Sequence, residues 1–273
     1  MEIALFAALA LIVAVALALA AGPARMARRV RALEARLDRA PAPRDVSERL
    51  PDRVRDFALR GDATPTDLAA RVHLTQRAEF QPKPAAPWML LEARQSIAIG
   101  APGFVWEARQ DVGPLPKLRG FDAFVDGTGL LRMQLFGLIP AARAEGPITD
   151  RAEAMRYLAE LPWAPDAILG NPSLSWRMDG PDWAVVTMEV PGGPVSARFR
   201  FDSGGDIVEM LAKDRPSTDA AGQPIFQTWR GCFRNYRMIG PRRVPAEGEV
   251  GYVFGDTYRP YFQGRITGYE TVH

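Results

Sequence analysis

From Trp88 onward the chain is punctuated by turn-forming clusters at short intervals, and this punctuation limits the fold more than any other feature. The clusters are Gly100-Ala-Pro-Gly103, Asp111-Val-Gly-Pro114, Asp126-Gly-Thr-Gly129, Asp179-Gly-Pro-Asp182, Pro191-Gly-Gly-Pro194 and Asp202-Ser-Gly-Gly-Asp206. Gly, Pro and Asp in these combinations set turn geometry and stop both helices and strands. Most of the runs they flank are about eight to twelve residues long, the spacing of an antiparallel meander. Several runs alternate: Ala197 to Phe201 reads Ala-Arg-Phe-Arg-Phe, which puts Arg198 and Arg200 on the wet face of a half-buried strand. Trp183, Val185, Thr187 and Glu189 alternate in the same way against Ala184, Val186, Met188 and Val190. Further strands are expected near 225–237, 248–256 and 260–271. Roughly ten or eleven strands follow from this reading, with no internal repeat.

One helix interrupts the strands. Asp150 is a suitable N-cap, and Glu153 three residues on completes a capping-box pattern. Ala154, Met155, Leu158 and Leu161 then share one helical face, and Pro162 and Pro165 end the run. A helix over 150–161 among strands implies an α+β fold, a curved antiparallel sheet wrapping a central helix. Arg156 and Glu160 stand four apart and can pair, worth only a few tenths of a kcal/mol if exposed.

The amino-terminal region is of a different kind. Ile3 to Ala21 is apolar throughout, and its 19 residues would span about 29 Å as a helix, close to a bilayer core. Ala18-Leu19-Ala20 offers a cleavage-site pattern for the rival reading, a signal peptide, but no basic residue precedes the run and it exceeds the usual signal core. An uncleaved transmembrane helix is therefore expected, in a bacterial inner membrane. Arg25, Arg28, Arg29, Arg31, Arg36 and Arg39 follow it, so the positive-inside rule favours a cytoplasmic carboxy-terminal domain, with the periplasmic side as the alternative. Met26, Val30, Leu33 and Leu37 form an apolar stripe that could rest on lipid, on a second copy or on the domain. After Pro41-Ala-Pro43 a second helical piece is expected between Asp45 and Arg60, with Pro51 in its first turn, Val54, Phe57 and Ala58 facing inward, and Gly61 closing it. The division that follows is an anchor over 1–22, juxtamembrane helices and a linker over 23–66, and one mainly-β domain over 67–273.

Composition removes several functions. Residues 22–60 hold 11 Arg and 6 acids, whereas 61–273 hold 23 basic and 25 acidic residues. The net +2 thus belongs to the juxtamembrane part, the globular part is slightly acidic, and no nucleic-acid partner is expected. Cys232 is the sole cysteine, so an intrachain disulfide is impossible. His73 and His273 are the only histidines, and no Gly-x-Ser-x-Gly elbow accompanies them. No His, Cys and acid cluster has metal-ligand spacing, so neither metal nor cofactor is expected. Asp202 and Asp206 sit in a turn whose glycines explain them, and Asp126-Gly-Thr-Gly129 lacks the residues of a phosphate loop. No catalytic residue is nominated.

What remains for a site is aromatic and basic. Six tryptophans are spread over the domain, and an aromatic-lined cavity between sheet and helix is a common ligand site. The candidate lining residues are Trp106, Arg156, Tyr157, Glu160, Trp163 and Trp176. Arg156 or Arg215 would hold an anionic head group.

Phe104-Val-Trp-Glu-Ala-Arg109, Asp122 to Gly129, Arg156-Tyr-Leu-Ala-Glu160 with Trp163 and Pro165, and then Trp176 and Asp179, resemble a bacterial family known as a domain of unknown function. Leu50-Pro-Asp-Arg-Val-Arg55 and the tail from Arg242-Arg-Val-Pro245 to Tyr269 fit the same pattern, so the likeness covers about residues 48–270. Asp166-Ala-Ile departs from it, standing where a Thr- or Ser-Ala-Leu is expected. The order of strands and helix also resembles the half-barrels of lipoprotein carriers, which hold acyl chains. That likeness implies a fold and transfers no activity.

Three functions fit these readings. The leading one is a membrane-anchored domain that binds a lipid or other hydrophobic ligand between sheet and helix. The alternative is a membrane-surface protein–protein interaction module without a small ligand. An enzyme of unrecognised type comes third. Oligomeric state is left open.

Overall fold

The computed structural model describes residue 6 and residues 22–112, 115–136, 138–218 and 223–273. The apolar run over 3–21, its cleavage-site pattern, and Gly113-Pro114 of the second turn cluster lie outside the described residues (Phe6 apart). Among the described residues no helix is long and apolar enough to cross a membrane.

Thirteen strands form one antiparallel sheet. In chain order they are β1 (Arg71–Phe80), β2 (Met89–Ala98), β3 (Phe104–Val112), β4 (Leu115–Val125), β5 (Thr128–Leu135), β6 (Ile139–Glu145), β7 (Ser175–Met178), β8 (Trp183–Met188), β9 (Val195–Phe201), β10 (Ile207–Thr218), β11 (Pro224–Ile239), β12 (Arg242–Phe254) and β13 (Thr257–Val272). In space the order is β6-β5-β4-β3-β2-β1-β13-β12-β11-β10-β9-β8-β7. The sheet is therefore two meanders joined where β1 pairs with β13, Leu74 opposite Tyr269. The chain leaves at one edge, β6, and re-enters at the other, β7. The helical connection between them has to cross the sheet, and this topology puts the helix inside an open, curved sheet.

The count exceeds the ten or eleven strands expected from sequence. β1 precedes Trp88, and its inward-facing Gln76 breaks the apolar alternation of Val72, Leu74 and Ala78. β7 has only four residues, and β6 is exposed along almost its whole length, so neither carries a strong pattern. Both are edge strands, and being short or polar suits an edge that must not pair with another chain. Apart from the second, whose Gly113-Pro114 lies outside the described residues, the turn clusters fall between strands as read. Asp126 and Gly127, with φ of 51° and 76°, make the two-residue turn between β4 and β5. Asp202 and Asp206 close the turn between β9 and β10.

Four α-helices of more than one turn lie among the described residues: α1 over 22–37, α2 (Asp52–Arg60), α3 (Pro147–Ala159) and α4 (Pro165–Gly170). The helical piece expected from Asp45 to Arg60 is split, a 3-10 turn at Ser47–Arg49 preceding α2 because Pro51 holds the chain extended. The central helix begins three residues earlier than its sequence suggests. Gly146, at φ 94°, precedes Pro147 in the first turn. Asp150 lies inside that turn and accepts a hydrogen bond from the Gly129 amide at 2.7 Å, so it does not cap. The helix stops at Ala159, and a 3-10 turn, Leu161–Trp163, carries the chain into α4. Two prolines force this break. Pro51 precedes α2 as its N-cap residue, while Val54, Phe57 and Ala58 face inward as the spacing implies.

The apolar stripe of α1 rests on the domain. Met26, Val30, Leu33 and Leu37 pack on Ala98, Val105, Phe121, Ala123 and Val125, the outer phase of β2 to β4. Phe104, Trp106 and Phe124 are in the opposite phase and belong to the main core around α3. α1 thus covers the outer face of β2 to β4, while on the inner face α3 packs against β4.

Candidate functional site

α3 lies across β4, β5, β9 and β10 but leaves the middle of the sheet uncovered. The space it leaves is a cavity of about 810 Å³. Its walls are aromatic and aliphatic, among them Leu91, Trp106, Trp229, Phe233, Val250 and Phe262. Trp88 and Phe254, both more than a third exposed, stand at its mouth. Gly248 of β12 has to be a glycine, because a Cβ there would collide with the Trp163 ring that closes one side. Trp163 is fixed from three directions. Its indole N–H donates to the Pro245 carbonyl at 2.8 Å, its carbonyl accepts from the Tyr269 hydroxyl at 2.9 Å, and its ring meets Phe233 edge-on at 5.2 Å.

The floor is charged. Glu153 and Arg156 of α3 and Glu160, its C-cap, fall at i, i+3 and i+7, and all three face the cavity together with Asp122 of β4 and Arg215 of β10. Arg156 donates to the Asp122 carboxylate and, at 3.3 Å, to Glu160. It also stacks over Phe104 and Trp106, at 4.9 and 5.2 Å from the ring centroids. The i,i+4 pair is therefore not exposed but the buried centre of a network. Gln76 accepts from the Trp106 indole at 3.2 Å and donates to Gln95 at 3.1 Å, lining the neighbouring strands with a second polar row.

Arg215 is held differently. Its guanidinium stacks on Trp229 at 4.5 Å and donates to the Tyr252 hydroxyl at 2.8 Å. Glu153 is its nearest carboxylate, 3.7 Å away and beyond hydrogen-bond reach. Arg215 Nε has no partner among the described residues. Burial pushes the Glu153 carboxyl well above the usual carboxylate range, and the neighbouring Asp122 pushes it further, against the pull of Arg215 and Arg156. Glu160 is also raised by burial, with Arg156 opposing.

Glu153 thus makes a testable contribution to pH dependence. Its proton is held more tightly folded than unfolded, so its stabilisation is complete below its unfolded pKa and disappears as pH rises through the folded value. Glu153→Gln keeps the shape and removes the titration. Thermal denaturation should find the variant equal to wild type near about pH 4 and more stable near about pH 8.5. An unchanged pH slope would show that Glu153 does not carry this titration.

Of the six residues nominated from sequence, Trp106, Arg156, Glu160 and Trp163 line this one cavity. Tyr157 and Trp176 do not. Tyr157 is wholly buried on another side of α3, where its hydroxyl accepts from Asn171 at 2.8 Å, and Trp176 packs on Phe199 at 5.8 Å. Gln76, Gln95, Asp122 and Glu153 were not read from sequence. The first three are polar residues in the inward phase of otherwise apolar strands, a signal that strand alternation could have exposed.

His73 lies on the outer face. Its Nδ1 is 2.8 Å from Ser96 Oγ, which donates to Glu34 of α1 at 3.0 Å. With the serine proton directed at Glu34, the imidazole is no base toward it, and the trio serves to dock α1. No group of His, Cys and acids among the described residues could hold a metal ion.

No curated protein matches the chain. Among solved structures, it is similar to a LolA superfamily protein from Nitrosomonas europaea, at 9% identity and TM-score 0.38, covering 81% of this chain and 93% of that one. A putative outer membrane lipoprotein-sorting protein domain from Vibrio parahaemolyticus gives 9%, 0.43, 82% and 93%. A DUF1329 family protein from Desulfovibrio piger gives 9%, 0.43, 79% and 90%. The profile of the family of unknown function DUF6544 matches residues 40–264, well over half of the sequence, and the chain belongs to that family.

Proposed function

We propose that the protein binds a lipid or another long apolar ligand between the sheet and α3. The observation that carries this reading is the cavity of about 810 Å³, walled by aromatic and aliphatic side chains and open at Trp88 and Phe254. A space of this size lined in this way is a ligand pocket in its general properties, with a few converging polar groups to fix orientation. Close-packed interiors hold few voids larger than a water molecule, so a cavity of this size stands apart from ordinary packing. We also propose that 3–21 anchors the chain in a membrane, with the Arg-rich flank on the cytoplasmic side. Reporter fusions after His273 test the side, and activity of a periplasm-only reporter would overturn it.

Ala159 of α3 lines the cavity and is buried. Ala159→Phe places a ring in the void without adding charge. Organic extraction of the purified full chain followed by mass spectrometry should find a lipid near one-to-one with wild type and strongly depleted from the variant, whose Tm stays within a few degrees of wild type. An extract empty of lipid from both, together with no uptake of added fatty acids, would sink the reading.

A further inference from the structure

The hydrogen-bonding groups of the cavity floor are not all met, and those left over point to the chemistry of the missing partner. Arg156 is occupied by Asp122 and Glu160. Two carboxylate oxygens, Asp122 Oδ1 and Glu153 Oε2, are buried with no donor among the described residues facing either. Two such oxygens on adjacent acids are satisfied by one shared proton, so that protonated Glu153 donates to Asp122. Burial of Glu153 favours that arrangement.

Arg215 is then left without an ionised partner, although its side chain is only 9% exposed. A buried guanidinium without a counter-charge is costly. Its face is taken by Trp229 and Nη1 by the Tyr252 hydroxyl. What remains is the edge made by Nε–H, which has no acceptor among the described residues, and Nη2–H, whose nearest carboxylate stands at 3.7 Å. These two parallel donors are the fork that receives a carboxylate in bidentate fashion.

We propose, resting on the reading of this cavity as a ligand site, that the ligand is an acyl chain ending in a free carboxylate and bound head-first. The carboxylate sits on the Nε and Nη2 edge of Arg215, and the chain runs past Trp106, Trp229 and Phe262 to the mouth at Trp88 and Phe254. The carboxylate supplies what this edge lacks, two acceptor oxygens for two N–H donors.

The test uses the full chain in phosphatidylcholine nanodiscs and two palmitic acid analogues, with a photoactivated diazirine near the carboxyl or near the methyl end. Peptide mapping should find the first probe attached around Glu153, Arg156 and Arg215, and the second around Trp88 and Phe254. Palmitic acid should displace either probe at least about tenfold better than its methyl ester, the worth of a charge-assisted hydrogen-bond pair. Arg215→Met should compete acid and ester alike, whereas Glu153→Gln should keep the preference. If Arg215→Met does not fold by circular dichroism, the acid-versus-ester comparison and the two attachment sites on wild type still decide. Labelling of the cavity with no preference for the acid, or with the two ends exchanged, overturns the head-group assignment and leaves the cavity as a lipid site. Displacement by phosphatidylglycerol in preference to palmitic acid does the same. Labelling of the cavity by neither probe overturns both.

Discussion

Asp166→Ala is expected to destabilise the fold by roughly 3–5 kcal/mol, because it strands a buried arginine. Asp166, at the first turn of α4, is wholly buried and takes both Nε and Nη2 of Arg242 at 2.8 Å, and it also accepts from the Ala69 amide at 3.0 Å. These bonds tie α4 to β12 and to the segment leading into β1. With the carboxylate gone, the guanidinium of Arg242, 9% exposed, has only the adjacent Pro241 carbonyl among the described residues. For a chain of this length the loss corresponds to a fall in Tm of about 10 °C or more. A double variant separates charge from packing. Asp166→Leu with Arg242→Met replaces the pair by apolar groups of similar size and should lose much less than either single change, since a buried pair contributes little net energy while a broken one costs heavily. A single-variant Tm drop below about 3 °C would show that this pair does not hold α4 in place. Position 166 is where the resemblance leads one to expect Thr or Ser; a hydroxyl would offer the Arg242 fork one neutral oxygen, whereas Asp166 gives each arm its own oxygen and a counter-charge.

The turn clusters made the sheet legible because Gly, Pro and Asp act locally, through backbone geometry that needs no partner. Asp126-Gly127 and Asp202 to Asp206 are turns for that reason. Likewise the buried phase of β9, Ala197, Phe199 and Phe201, follows from simple alternation. The start of α3 was misplaced because the same residue types that cap helices also serve other backbones. Asp150 satisfies Gly129 of β5, twenty-one residues away in sequence. The destination of the α1 stripe was open for a related reason: Met26, Val30, Leu33 and Leu37 would suit lipid or protein equally, and only the apolar outer phase of β3 and β4 decides.

The site was half legible. Trp106, Arg156, Glu160 and Trp163 stood out as aromatic or ionic residues around the helix. Asp122, Glu153 and Arg215 gather there only because the sheet curls far enough to bring β4 and β10 to opposite flanks of α3. No spacing in the chain records that closure. The polar residues in inward phase, Gln76, Gln95 and Asp122, were the available hint, and a hydrophobic periodicity count treats them as noise.

Arg156→Leu is expected to cost as much as the loss of Asp166, roughly 3–5 kcal/mol at neutral pH, and its dependence on pH identifies the cause. Arg156 is the cation shared by Asp122 and Glu160, and it also lowers the affinity of Glu153 for its proton. Leucine fills a comparable volume over Phe104 and Trp106 but leaves three buried carboxyls facing Arg215 alone. The folded pKa values of Glu153 and Glu160, already raised by burial, must then rise further. Groups with raised folded pKa values stabilise below their unfolded values and lose that contribution as pH increases. The deficit of the variant against wild type should therefore be small near about pH 4.5 and large near about pH 8. Asp122→Asn in the same chain should recover part of the loss at the higher pH by removing one of the stranded charges. A deficit that stays constant across this range would assign the role of Arg156 to its stacking on Phe104 and Trp106, because a packing loss carries no proton. In that case the cavity floor would be an aromatic platform, and its ionic network would have little part in keeping α3 seated on the sheet.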